Sequence, residues 1–206
     1  MVNSSDNANN HRHLRVTAPS PWVRRFAPLI PDAGRVLDLA CGNGRHARYL
    51  IERGCSVVAV DRDVAAIADL AQSPRADVIA ADLEDGSGWP LAGRRFDGIV
   101  VVNYLYRPLF PHLLDGLAAG GVLIYETFAR GNERFFRPRN PDHLLKSGEL
   151  IDVFGGRLQI VAYEHGLIES GPLPGVIQRI CAINDRGRSD RENGEPAFHR
   201  VGAGPD

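Results

Sequence analysis

The chain has 206 residues, 44% of them apolar, enough to bury one substantial core, so a single domain is expected. Its 24 basic and 25 acidic side chains leave a formal charge of -1, which excludes a global field drawing the protein to nucleic acid or a membrane surface. No apolar run approaches the roughly 20 residues that cross a bilayer, the opening MVNSSDNANNHRH lacks the apolar core of a signal peptide, and three cysteines without close pairing suit a reducing compartment, so a cytoplasmic location is expected.

Residues 1–15 and 185–206 are rich in Gly, Pro, Asn and charge and are expected to be disordered tails around a domain at 16–184. SPWVRRFAPLIP (20–31) predicts a short helix, with Ser20 as its cap, Pro21 at its first position, and Trp22, Phe26 and Leu29 or Ile30 on one face. Strands are expected at RVLDLAC (35–41), SVVAVD (56–61), ADVIAAD (76–82), FDGIVVVN (96–103) and GVLIYETF (121–128). They are short, β-branched and apolar on successive residues, as in parallel strands covered on both faces. Helices are expected from Gly44, from Asp63 as cap of DVAAIADLAQ, and from Pro108 to Gly120, with a loop at LEDGSGWPLAGRR (83–95). In NPDHLLKSGELIDVF, Asn140 is the expected cap, Pro141 the first helical residue and Gly148 the stop. RLQIVAYEHG and VIQRICAIND then form two strands with no helix between them, an antiparallel pair. The alternation of strands and helices predicts a doubly wound α/β sheet whose ligand lies at the carboxyl ends of the strands.

The turn after the first strand, ACGNGRHA, is the centre of the functional reading. Gly42 and Gly44 let backbone pass close to a ligand, and the helix starting there offers free N–H groups. A dinucleotide fits one pattern: Gly42, Gly44 and Ala47 satisfy G-x-G-x-x-[GA], and Asp61 ends the next strand where a ribose partner belongs. Two further acids point elsewhere. Asp38 lies inside the first strand, where a carboxylate is costly to bury unless a cation or donor meets it, and Asp82 closes the third strand. Dinucleotides bring no cation to Asp38, whereas S-adenosylmethionine carries an α-ammonium. The alternative leaves Asp61 and Asp63 as helix caps and Asp82 as a strand terminus. Arg45 and His46 oppose the helix dipole and are expected to be solvated or packed, unless an anion lies beside them.

VLDLACGNG, VVAVDRD, AADLED, FDGIVVVNYL and LAAGGVLIYETF, in that order, resemble the motifs of class I S-adenosylmethionine-dependent methyltransferases over about residues 33–184. The resemblance implies a Rossmann-like sheet of seven strands in the order 3-2-1-4-5-7-6 with a final antiparallel hairpin. It implies that Asp38 and the Cys41, Gly42, Asn43 and Gly44 backbone hold the methionine portion. By the same resemblance Asp61 accepts from the ribose with Arg62 beside it, Asp82 and the Leu83 amide face adenine, and Asn103 and Tyr104 border the sulfonium. CGNGRHARYL, HLLKSGELIDVFGGRLQIVAYEHG and QRICAI are similar to the small bacterial tellurite-resistance-type methyltransferases, which implies a small-molecule acceptor.

Candidate acceptor-side residues come from the strand ends. Tyr104 and Glu126 are the catalytic candidates, Glu126 as a carboxylate base or, alternatively, as the partner of an arginine. Tyr106, Arg107, Arg130, Arg137 and Arg139 are candidate substrate contacts, because arginines among Phe135 and Phe136 suit an anionic or planar acceptor. NYLYRP lacks the double proline of [DN]-P-P-[YFW], which counts against base or glutamine amino groups as acceptors. The expected reaction is in-line methyl transfer to a small, soft or anionic acceptor. An RNA methyltransferase, an NAD-dependent oxidoreductase and a non-catalytic cofactor-binding regulator are the alternatives. His112, His165 and Cys181 have no metal-ligand spacing, so no metal is expected.

Overall fold

The computed structural model describes residues 16–135, 137–171, 173–185 and 196–199. The elements are α1 (Pro21–Phe26), β1 (Arg35–Leu39), α2 (Arg45–Glu52), β2 (Ser56–Asp61), β3 (Ala76–Ala80), β4 (Phe96–Val102), α3 (Phe110–Gly116), β5 (Leu117–Phe128), α4 (Glu149–Phe154), β6 (Gln159–Ile168) and β7 (Gly175–Ile183). They form one seven-stranded sheet in the order β3-β2-β1-β4-β5-β7-β6. β1 to β5 run parallel, and β7 lies antiparallel to both β5 and β6. Among the described residues no helix is long and apolar enough to cross a membrane.

Successive apolar residues of the central strands feed two cores on opposite faces of the sheet. Leu37, Leu39, Val58, Ile99, Val101, Leu123 and Tyr125 pack with Leu113 of α3 and Leu150 and Phe154 of α4. Val36, Val57, Ala59, Val100, Val122 and Ile124 pack with Trp22 and Phe26 of α1 and Ala47 and Leu50 of α2. This double coverage is why the strands carry no polar alternation. Ser20 caps α1 as expected, its hydroxyl accepting the Trp22 N–H, with Pro21 next.

Three expected helices are corrected. Asp63 does accept the Ala65 N–H, but residues 65–72 form two separate 3-10 turns, Ala65–Ile67 and Leu70–Gln72. Their inward residues, Ile67 and Leu70, are spaced by three, the period of a 3-10 turn. The helix after Pro108 is preceded by a 3-10 turn at Arg107–Leu109 and stops at Gly116, because β5 begins at Leu117. Asn140 caps a single turn, Pro141–His143, and Gly148 starts α4 where a stop was expected. The Glu149 carboxylate accepts the Lys146 N–H, in the manner of a capping box. The strands at 35, 76 and 96 end one to two residues earlier than expected.

The expected tail at 1–15 lies outside the described residues, as does most of the one at 185–206. Residues 196–199 are described, with His199 Nε2 2.5 Å from a carboxylate oxygen of buried Asp185.

Gly121 marks a tight point in this frame. A Cβ there would lie 2.8 Å from the Phe96 carbonyl oxygen and 2.9 Å from that of Ala118, both backbone atoms that cannot step aside. Gly121→Ala is expected to lower the urea midpoint and to cost about 1–3 kcal/mol; unchanged unfolding would contradict this packing.

Candidate active site

At the carboxyl ends of β1 to β4 the structure opens a cavity of about 520 Å³. It is lined by backbone and side chains of 40–43, by Arg45 and His46, by Asp61, Arg62, Asp63 and Ala66, by 81–84, and by 102–104. Position follows from topology: the chain turns left from β1 towards β2 and right towards β4, so the crevice falls between them.

The turn from β1 into α2 is held from several sides. Gly42 and Gly44 have φ of 56° and 71°, in the left-handed region. A Cβ on Gly44 would meet Ile67 Cγ2 at 2.5 Å, so the turn lies flat on the 3-10 segment after β2. Asp61 Oδ2 accepts the Gly42 N–H at 2.7 Å, and its other oxygen accepts the Asp63 N–H at 3.1 Å. Arg48 of α2 donates to the Asn43 carbonyl and to Asp69, closing the same corner from outside. Ala40 and Asn103 also have left-handed φ, 52° and 58°, and both line the cavity. Non-glycine residues held there cost energy that the surroundings must offset, and such residues concentrate at functional sites. At Asn103 the backbone N–H donates to the Glu126 carbonyl, which fixes the end of β4 against β5.

Asp38 is 1% exposed and sits beneath the turn, outside the residues that line the cavity. Burial raises its pKa from 3.8 to about 7, and the Ala47 N–H it meets opposes that rise. Its Oδ2 has no hydrogen-bond partner. Burial pushes the Cys41 thiol up, helped by Asp38 and Asp61, so it is a packed thiol. Asp82 lines the cavity and accepts the Glu84 N–H at 2.9 Å, and Leu83 follows it in the wall. Tyr104 also lines the cavity. Its hydroxyl is shielded from water and makes no hydrogen bond within normal geometry, and burial with the nearby Glu84 carboxylate raises its pKa.

Two residues set aside on sequence grounds, Arg45 and His46, are in the wall. His46 is both packed and lining: its Nε2 accepts the Ser20 N–H at 3.2 Å, and burial, then Arg45, lowers its pKa to about 3, so it is neutral. The signal for both was present in their place on the first turn of α2, but that turn's orientation depends on the β2 corner.

Glu126 is paired elsewhere. Oε1 accepts the Ser20 hydroxyl at 2.7 Å, Oε2 meets Arg179 Nη1 at 3.2 Å, and the residue is not among those lining the cavity. Arg179 also grips Glu164 and stacks 4.6 Å over the Trp22 ring. This favours the arginine-partner alternative over a carboxylate base. Arg107 is likewise committed, bidentate on Glu149 at 2.6 and 2.9 Å and donating to the Asp142 and Leu144 carbonyls. It ties the 140–149 segment to the end of β4, so its guanidinium is engaged by protein groups where a substrate contact was expected. Tyr106, Arg130, Arg137 and Arg139 are also absent from the cavity lining, and the three arginines are exposed. Phe136 lies outside the described residues.

Comparison with known proteins agrees with this geometry. Residues 36–119 match the methyltransferase domain family. Among curated proteins the chain is similar to a tRNA U34 carboxymethyltransferase of Methylococcus capsulatus, 34% identical over 119 residues. The alignment covers 52% of this chain and 36% of the relative, so the chain spans about a third of that protein's length. Among solved structures it resembles TehB of Haemophilus influenzae, with a TM-score of 0.65, 18% identity and coverage of 84% of this chain and 65% of that one. A Burkholderia thailandensis 1,6-didemethyltoxoflavin-N1-methyltransferase, solved with its acceptor and S-adenosylhomocysteine, gives a TM-score of 0.62 at 18% identity, covering 87% and 83% of the two chains. Over residues 36–119 the chain thus matches a methyltransferase domain, its fold is that of the solved methyltransferases it resembles, and the cofactor such domains imply is S-adenosylmethionine.

The residues present fit that cofactor. Four acids, Asp61, Asp63, Asp82 and Glu84, line the cavity against two arginines, and the glycine turn leaves backbone N–H groups close to any ligand. The orphaned oxygen of Asp38 adds negative potential behind the turn.

Asp38 also makes a pH prediction. Because its pKa is raised in the folded chain, its contribution favours folding fully below about pH 4 and is lost as pH rises through about 7. His46, with a depressed pKa, acts oppositely: its contribution is present above 6.5 and lost as pH falls towards about 3. Asp38→Asn keeps an acceptor for the Ala47 N–H and removes the buried charge. In the ligand-free protein, its thermal stability relative to wild type is expected to climb between about pH 4 and 7 by a few kcal/mol, then level off. A difference that does not vary with pH would show that the carboxylate titrates in the fold as it does in the unfolded chain, and that burial does not shift it.

Proposed function

We propose that this chain is an S-adenosylmethionine-dependent methyltransferase acting on a small acceptor, soft or anionic in character. The observation that carries it is the acid-lined cavity beside the glycine turn at the ends of β1 to β4. Asp61 would take the ribose hydroxyls on the lone pairs left by its two N–H partners, with Arg62 beside it. Asp82 and the Leu83 amide would face adenine, the Cys41, Gly42, Asn43 and Gly44 backbone would run along the methionine portion, and Asn103 and Tyr104 would border the sulfur.

Bound S-adenosylmethionine supplies a methyl carbon open to in-line attack. The protein's share is to align the acceptor and exclude water. Tyr104 suits that role, with a shielded phenol kept un-ionised, so it presents no anion to trap a sulfonium. Glu126, held by Ser20 and Arg179, is not assigned as a base. A site without one favours acceptors that attack unaided, such as thiolates and other soft anions.

Calorimetry with S-adenosylhomocysteine is expected to give micromolar binding, with no binding of NAD. Asp61→Ala removes the carboxylate that both orients the Gly42 N–H and faces the ribose, and is expected to weaken S-adenosylhomocysteine by at least about tenfold. Binding of NAD in preference, or an unaffected Asp61→Ala variant, would refute the assignment.

An RNA acceptor is favoured by a separate observation. Arg130, Arg134 and Arg139 are exposed after the carboxyl end of β5, beside Phe135 at 45% exposure, and one similar protein is named as a tRNA enzyme. Guanidinium and phenyl groups together suit unpaired bases and phosphates. If this surface reads RNA, retention will fall steeply with salt, and replacing the three arginines by alanine will abolish it. Retention that survives the triple substitution would exclude this surface.

A further inference from the structure

His46 is 3% exposed, yet it lines the cavity from the first turn of α2. Its Nε2 accepts the Ser20 N–H at 3.2 Å, so the lone pair there is taken by a main-chain donor. Burial, with the Arg45 charge beside it, keeps the imidazole neutral, and a neutral ring whose Nε2 accepts must carry its proton on Nδ1. That Nδ1–H has no hydrogen-bond partner among the described residues, and Nδ1 is not one of the atoms sealed from solvent. In a side chain this buried, the open space it meets is the cavity. The ring also has a defined place. Ser20 donates its hydroxyl to Glu126 Oε1 at 2.7 Å while its N–H holds His46, so one residue joins the imidazole to the end of β5. Asn103 and Tyr104, which follow β4 beside β5, line the same cavity. The donor thus belongs to the side of β4 and β5, away from the acids that follow β2 and β3. A donor left unmet in so closed a setting is costly, and a ligand atom that accepts it removes the cost.

We propose that the Nδ1–H of His46 holds the attacking atom of the methyl acceptor, and so selects acceptors whose attacking atom can accept a hydrogen bond and still keep a lone pair free. This rests on the reading that the cavity takes S-adenosylmethionine. A thiolate meets the requirement, because its sulfur has several lone pairs: one accepts the N–H and another attacks. A tertiary amine or a pyridine-type nitrogen does not, because the N–H would occupy its single lone pair. In the transfer, the thiolate sulfur forms a bond to the methyl carbon as the bond from methyl to the sulfonium breaks, and that electron pair stays on the departing thioether. No proton moves, so no base is called on. The imidazole is unsuited to be one, since its basic nitrogen is engaged by Ser20. As a neutral donor it orients an anion without bringing positive charge to a cationic cofactor.

Two substitutions separate this role from a structural one, with benzenethiol as the acceptor probe. His46→Gln can still accept the Ser20 N–H through its amide oxygen but has no donor at the Nδ1 position. His46→Asn places an amide nitrogen there and cannot reach Ser20. Methylation of benzenethiol by His46→Gln is expected to fall by about 10- to 100-fold in kcat/KM, with S-adenosylhomocysteine affinity by calorimetry unchanged, and His46→Asn is expected to recover most of that loss. The reverse order marks a residue that only supports the fold, and an equal loss of S-adenosylhomocysteine affinity marks a donor to the cofactor; either overturns the proposal. Should both variants fail to fold by circular dichroism, nitrogen-15 NMR of the wild-type His46 ring decides. A protonated Nδ1 and a bare Nε2 are expected, with the Nδ1 signal moving when benzenethiol is added to the S-adenosylhomocysteine complex. A protonated Nε2, or an Nδ1 signal that does not move, overturns the proposal. So does wild type that binds S-adenosylhomocysteine but does not methylate benzenethiol. Wild type that does not bind S-adenosylhomocysteine refutes the cofactor reading itself, an outcome distinct from these.

Discussion

The hydrogen bond from the Gly42 N–H to the Asp61 carboxylate joins two consecutive parallel strands at their carboxyl ends. It carries the register of β1 and β2, which ends with the Cys41 N–H on the Val60 carbonyl, into the turn, and so holds the wall that carries Arg45 and His46 against the wall that carries Asp61 and Asp63. The bond is charge-assisted and part-buried, the situation in which such bonds contribute most. Gly44 completes the constraint from the other side, since only a residue without Cβ can lie against Ile67. One corner therefore sets the width of the crevice.

The strands were the most legible part of the chain. Val57–Val60 and Ile99–Val102 are unbroken apolar runs, and Val36–Leu39 is interrupted by Asp38 alone, because both faces of the sheet are covered, and that coverage also implies crossover helices. The segment at 63–72 misled because its cap, Asp63, is genuine while its continuation depends on contacts with the turn at Gly44, 23 and 26 residues before Ile67 and Leu70. Gly148 read as a terminator because glycine usually follows a helix. Here it has φ of 75° at the start of one, where Glu149 is already committed to Arg107 and to the Lys146 amide.

The cofactor wall was legible for a related reason. Asp61, Asp82, Asn103 and the glycine turn are all terminal residues of strands in one parallel sheet, so order along the chain converts directly into position around a crevice. The acceptor side was not, because its side chains choose partners across long separations. Glu126 finds Ser20 at a distance of 106 residues and Arg179 at 53, while Arg107 finds Glu149 at 42. No local pattern announces such pairings. Arginine near a strand end says that an anion is close; whether it is a substrate or a neighbouring glutamate is decided by the fold.

Ser20 illustrates a different economy. A single oxygen accepts the first free amide of α1 and donates to Glu126, while the same residue's amide donates to His46. The beginning of the helix and the rear of the pocket are therefore in register through one residue. Adding or removing a residue between Ser20 and Arg35 would put either the helix or the pocket out of phase. In the loop at 83–95, by contrast, a Cβ on exposed Gly86 or Gly88 would meet nothing within 4 Å, so lengthening the chain at those two points displaces no packed neighbour. Where the chain can change length over evolutionary time is thus written into which of its hydroxyls has two duties.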